Sequence, residues 1–470
     1  MVSPSPAFSL LARFTPSRDE AAEAFRALRE LGAHIQERTA PDGFSREWTI
    51  ETAGEHELRD AQQILETHLG TRLRECRDRV LEAHRRGTLR TTAKQRIQSL
   101  DTLSVIASPG ANRIARLINS DPTRTRVLTG QGSTIAVISD GTGLAPLGNL
   151  GARPALPIVE GTAAIYASLT DLNAVPLVVD THSVETLVSA ITAFSPNFAA
   201  VHLEGIGAPR CFAIEELLFE RAEIPVLNAD QHATAVTILA ALTNALDLVG
   251  KRIEEASIVI AGAGAGGTAT AKLLLAAGVQ DIVVVDRHGV LKREDCARVA
   301  YHHAELARLT NRRGRHGTLD DMIAGADVFI GLSAPNTLKA HLVALMATDP
   351  IVFALATPAP EVNPKRIAST AAIVATSLGQ YPNQLRKAYA FPGLMRGMID
   401  AGITRLDTKH ALAAAAALAR ANGHRPGPLR LLPDLFAPDV RDSVSRAVVA
   451  TANAVPERTP VGSRALRAEL

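Results

Sequence analysis

From Ala7 onward, apolar and polar positions alternate in a way that predicts a small mixed domain. Ala7–Phe14 is expected to be a strand and Ser17–Leu31 an amphipathic helix, with Phe25, Leu28 and Leu31 on one face. Ser17 is placed to cap that helix, and Asp19 and Glu20 fall in its first turn. Ala33–Thr39 and Phe44–Glu51 follow on either side of the turn Pro41-Asp42-Gly43, the latter with Phe44, Trp48 and Ile50 on one side. A second helix fits Glu55–Leu69, and Arg72–Cys76 is the last strand. This order is that of a ferredoxin-like sandwich.

Residues 77–104 read as a charged connector. Beyond it, short apolar runs alternate with helical patterns. Strands are expected at Thr134–Ser139, Ala174–Asp180, Ala199–Leu203, Val328–Gly331, Ile351–Leu355 and Ala372–Ala375. Helices fit Gly161–Thr170, Ser183–Phe194 and Ile214–Arg221, and a long apolar helix fits Ala233–Leu248. Strands alternating with helices predict an α/β fold with a doubly wound parallel sheet. Two further helices, Lys409–Ala421 and Pro438–Val455, lie near the end.

The most informative stretch is Ser257–Gly289. Ile258–Ala261 suits a buried strand, Gly262, Gly264 and Gly267 form G-x-G-x-x-G, and a helical segment follows. Ile282–Val285 is a second buried strand, and it ends on Asp286, 24 residues after Gly262. Gly262 permits a tight turn, Gly264 lets backbone approach a pyrophosphate, and Gly267 allows close helix–strand packing. Unpaired N–H groups at the helix start favour the phosphate charge, and the carboxylate accepts from a ribose hydroxyl. A dinucleotide site is therefore expected. Asp286 disfavours a 2′-phosphate by repulsion whereas Arg287 would favour one, and the balance leans to NAD over NADP.

Composition narrows the classes. The 470 residues allow two or three domains, and 50 basic against 48 acidic residues give a net charge of +2, which argues against a nucleic-acid surface. Cys76, Cys211 and Cys296 lack metal-ligand spacing and read as reduced thiols. No uninterrupted membrane-length apolar run or secretion signal is present, so no membrane partner and a cytoplasmic location are expected.

Several further stretches fall in the order seen in one family. Asp140-Gly141-Thr142, LGNLG at 147–151, LPIVEG at 156–161, APRCFAI at 208–214, Asp230-Gln231-His232, Ser333-Ala334-Pro335, YPNQ at 381–384 and AFPGLMRG at 390–397 together resemble the NAD(P)-dependent malic enzymes of the bacterial type. The resemblance implies Rossmann and substrate domains, an N-terminal ACT-like domain as in some members, a homodimer, and Mg2+ or Mn2+. It implies boundaries at 1–85 for the ACT-like domain, 86–235 for the substrate domain, 236–395 for the Rossmann domain and 396–470 for helices packing back on the substrate domain. Ser333, Ala334 and Asn383 would join the glycines in holding the cofactor.

At the catalytic positions the chain departs from the family pattern. Of the metal triad, a Glu-Asp pair plus an Asp before Gln-His, the chain keeps Glu204 and Asp230 but has Gly205. The general acid, a Tyr in Tyr-Thr-Pro-Gly, is Ala107, and the base, a Lys after Glu-Gly, is Thr162. The Asn of Asn-Pro-Thr-Pro is Thr357, and the Asn-Asn pair after YPNQ is Arg386-Lys387. Weakened metal binding is expected, with Arg386 and Lys387 facing the pocket and Lys387, with Asp230, taking part in proton transfer. Tyr381, Tyr389 and His232 are other possible proton donors. These departures point to an oxidoreductase acting on a 2-hydroxy or 2-oxo acid other than malate, with or without decarboxylation; the alternative is a catalytically inactive, dinucleotide- or metabolite-binding regulatory paralogue.

Overall fold

The structure is a computed structural model that describes residues 4–16 and 18–454. Ser17 and Val455, used above as a cap and a helix end, lie outside the described residues.

Strands β1 (Ser5–Phe14), β2 (His34–Thr39), β3 (Arg46–Thr52) and β4 (Leu73–Asp78) form an antiparallel sheet in the order β2-β3-β1-β4. With helices Arg18–Glu30 and Glu55–Leu69 this is a ferredoxin-like arrangement. Phe14, Leu28, Trp48, Ile50 and Leu65 build its core. Phe44 does not join them, being 86% exposed, because it sits in the turn before β3 begins.

The parallel strands form two separate sheets. β5 (Thr134–Ser139), β6 (Asn173–Val178), β7 (Ala200–Leu203) and β8 (Val226–Asn228) form a four-stranded parallel sheet, ordered β6-β5-β7-β8. β9 (Ser257–Ala261), β10 (Asp281–Asp286), β11 (Gly289–Val290), β12 (Val328–Gly331), β13 (Ile351–Ala354) and β14 (Ile373–Thr376) form the other, ordered β11-β10-β9-β12-β13-β14. Only the short β11 runs antiparallel, so this is Rossmann topology, with the order reversing between β9 and β12.

One apolar core binds the two sheets. Helix His232–Val249 contributes buried residues on all sides, Val236, Ile238, Ala241 and Ala245 among them. It is long and apolar enough to cross a membrane, but it lies inside the protein core. Helices Thr408–Ala419 and Phe391–Ala401 pack against it, Pro438–Asn453 packs against both of those, and Phe391 also meets Tyr166 of helix Ala152–Leu169. That last helix starts well before the expected Gly161, running through Pro157.

Residues 70–134 contain no buried side chain. Helices Leu100–Ile106 and Gly110–Ser120 touch each other but leave Leu100, Leu103, Val105, Ile106 and Val127 exposed.

Candidate active site

The carboxyl edges of the two parallel sheets face one cavity of about 680 Å³. The Rossmann sheet contributes the glycine loop. Gly262 follows β9 at φ +113°, and an added Cβ would stand 2.3 Å from the Leu332 carbonyl oxygen. At Gly267 it would stand 1.9 Å from the Gly262 oxygen, so helix Ala265–Ala276 approaches the strand as closely as glycine allows. An atom added to Gly264 would meet nothing within 4 Å, which leaves the backbone open to a ligand at the helix start. The cradle fits a dinucleotide phosphate. Asp286, at the end of β10, accepts from the His288 backbone N–H at 2.7 Å and lies 3.8 Å from His303. Arg287 points to solvent and donates to the His288 ring.

From the other sheet, Glu204 follows β7 and Asp230 follows β8. Lys387 opens a short 3₁₀ turn, Lys387–Tyr389, and reaches between them. Its ammonium donates to Asp230 Oδ1 at 2.7 Å and to Glu204 Oε1 in a shorter contact. The other oxygens are also engaged. Asp230 Oδ2 accepts from the Gly205 N–H at 2.7 Å, while Glu204 Oε2 lies 3.0 Å from His202 Nε2 and 3.4 Å from Thr162 Oγ1. His202 Nδ1 is in turn 2.9 Å from the Tyr166 hydroxyl.

Burial would drive both charges toward neutrality, but their mutual attraction wins. Although burial raises the pKa of Glu204, Lys387 and His202 beside it bring it below the usual carboxylate value. Although burial lowers that of Lys387, Asp230 and Glu204 raise it above the usual lysine value. Lys387 therefore stays protonated and serves as a hydrogen-bond donor. Tyr166, buried and near Glu204, stays a neutral phenol.

The residues do not fit a divalent cation in the expected place. Mg2+ asks for oxygen ligands at about 2.0–2.1 Å in octahedral array. Here the ammonium already sits between the two carboxylates, and among the described residues no group of three or more His, Cys, Asp or Glu is disposed to hold a metal. Gly205, at φ +63°, supplies no third carboxylate, and a Cβ there would lie 2.7 Å from Leu144.

Other expected contacts are placed elsewhere. Arg386 is exposed and lines a separate cavity of about 890 Å³ with Tyr381, Tyr389 and Arg430. Its backbone is extended (φ −123°, ψ 137°), so adjacent side chains diverge and only Lys387 enters the cleft. The Asn383 side chain is committed to backbone groups. Its amide donates to the Val374 and Pro428 carbonyls and accepts from Leu431 N–H, fixing a turn at φ +53°. Ala107 ends helix Leu100–Ile106 and does not line the cavity, because that segment packs on itself. Thr357, beyond β13, is not in the lining either. Ser333 follows β12, where its N–H donates to Glu361 at 3.0 Å, and the Ala334 carbonyl accepts from Thr337. His232 pairs with Glu215 at 2.8 Å beside another cavity, and the Tyr389 hydroxyl donates to Pro433.

Comparison with known proteins accounts for this architecture. Residues 91–218 match the malic enzyme N-terminal domain family and residues 231–454 the malic enzyme NAD-binding domain family.

The chain belongs to the malic enzyme family.

The NAD-dependent malic enzyme of Geobacillus stearothermophilus is 40% identical over 384 residues, which are 82% of this chain and 80% of that protein. The bifunctional malic/malolactic enzyme of Bacillus subtilis (strain 168) is 38% identical over 346 residues, 73% of this chain and 84% of that protein. Among solved structures, the NAD-dependent malic enzyme of Thermotoga maritima shares 39% identity at a TM-score of 0.75, covering 78% of this chain and 98% of that one. The chain is thus a malic enzyme-family NAD(P)-dependent oxidoreductase.

Proposed function

We propose that this malic enzyme-family protein oxidises a small 2-hydroxy acid other than malate, reversibly, to its 2-oxo acid. One observation carries the reading: the glycine loop and Lys387 line one cavity, from which the family's acid and base positions, now Ala107 and Thr162, offer no proton-transfer group. Bound NAD(P)+ supplies the hydride acceptor for C2. The chain's residues do the rest. Lys387 donates to the C2 oxygen and favours carbonyl formation, and Asp230, with a side chain 29% exposed toward the cavity, takes the hydroxyl proton. An enolate produced by decarboxylation would find no acid in the tyrosine's place, so oxidation is the step this site supports.

Nicotinamide absorbance with a panel of 2-hydroxy acids tests the reading. Expected is NADH formation with at least one acid and at most traces with malate, since loss of a general acid or base costs about two to four orders of magnitude. Full activity with malate, or NADH binding without turnover of any acid, contradicts it.

Asp286 favours NAD. Asp286→Asn is expected to raise the preference for NADP about tenfold, the scale of one charge-assisted contact near the ribose; an unchanged KM ratio would remove Asp286 from cofactor choice. The free thiols Cys76, Cys211 and Cys296 fit a reducing, cytoplasmic setting. We also propose a homodimer in which a second copy covers the apolar side chains of residues 97–128. Light scattering should then give about twice the 49.7 kDa chain mass, and a 49.7 kDa species would exclude it.

A further inference from the structure

We infer that the Lys387 ammonium is a built-in replacement for the divalent cation, so that the site takes an acid ligand's 2-oxo or 2-hydroxy oxygen without Mg2+ or Mn2+. The inference rests on the oxidoreductase reading for the ligand's chemistry and on the geometry for the cation.

Position comes first. An ammonium held by Glu204 and Asp230 occupies the space between the two carboxylates that the family resemblance assigns to metal binding. A cation coordinated there would need the same oxygens and would be repelled by the fixed charge, so the two exclude each other.

Charge balance comes second. The triad that the resemblance implies, three carboxylates and one divalent ion, sums to −3 + 2 = −1. Glu204, Asp230 and Lys387 sum to −2 + 1 = −1. Replacement of an acidic residue by Gly205 and of an amide by Lys387 are therefore one compensated change. Gly205 also donates its N–H to Asp230, holding the carboxylate toward the ammonium.

Capacity comes third. An ammonium has three N–H donors. Two are used on Glu204 and Asp230, and the side chain keeps 28% exposure on the cavity shared with Gly264–Gly267. One donor remains for a ligand oxygen beside the dinucleotide cradle.

The test uses the full chain and oxalate, the smallest vicinal dioxo dianion, as the ligand probe. Manganese is followed by paramagnetic resonance, and oxalate by calorimetry with NADH bound. Expected are no stoichiometric Mn2+ uptake and an oxalate affinity unchanged by a chelator. Lys387→Met, checked for folding by its NADH binding, is expected to weaken oxalate about 10- to 100-fold, the value of one charge-assisted hydrogen bond. One tightly held Mn2+ per wild-type chain, or oxalate binding that needs Mn2+, overturns the inference. Metal-free, Lys387-dependent oxalate binding alongside a hydroxy-acid panel without turnover supports this inference and defeats the oxidoreductase reading.

Discussion

Gly267→Ala is expected to abolish useful dinucleotide binding while the rest of the protein stays folded. The added methyl would stand 1.9 Å from the Gly262 carbonyl oxygen, a backbone atom that moves only if the whole loop moves. Overpacking costs about 1–3 kcal/mol. A fixed backbone neighbour puts this site at the upper end, which corresponds to about 100-fold in Kd. Displacing the loop also turns the N–H groups of helix Ala265–Ala276 away from the pyrophosphate. Fluorescence titration with NADH measures the loss, and a tight wild-type Kd in the variant would show that the loop is not the cradle.

Glu204→Ala should give the largest loss of stability of any single change in the cleft. It leaves the Lys387 ammonium with one carboxylate and His202 without its acceptor, 4% exposed as Glu204 is in the intact protein. Breaking a buried ion pair from one side costs about 3–5 kcal/mol. Removing both ends, Glu204→Ala with Lys387→Met, should cost less than the sum of the single changes, with a coupling of about 1–3 kcal/mol. Thermal unfolding of the two single variants and the double variant reads this directly. Additive losses would mean that the two side chains do not depend on each other.

The chain's local patterns carried the fold further than the site. G-x-G-x-x-G and Asp286 were legible because turn, helix start and ribose contact all fall within one continuous stretch. Strand patterns alone did not separate the two parallel sheets, which only the family resemblance divided into substrate and Rossmann domains, since β8 is three residues long and the helix His232–Val249 looks the same whether it joins one sheet or two. Lys387 could be singled out as a cation in an unusual place, but its partners come from residues 183 and 157 positions away. Arg386 looked equivalent until the extended backbone separated the pair.

His202 and Tyr166 went unnoticed because each lies in an apolar run that reads as plain core. A polar ring inside the run AAVHL two residues before Glu204 was the available signal. Glu361 was missed for a different reason. It is fully buried and accepts from the N–H groups of Ser333 and Ala356, pinning the loops after β12 and β13, and no local spacing announces that role. Burial raises its pKa above the usual glutamate value, although those N–H groups oppose the shift. The bonds of Asn383 were not legible because a motif position says which residue is present, whereas its partners Pro428 and Leu431 lie far along the chain.

The most direct measurement is a crystal structure with NAD+ and oxalate, grown in manganese and recorded at the manganese absorption edge. The account predicts the Lys387 ammonium between Glu204, Asp230 and an oxalate oxygen, with no anomalous peak among them. A manganese ion coordinated by Glu204 and Asp230, with Lys387 swung aside, would contradict it.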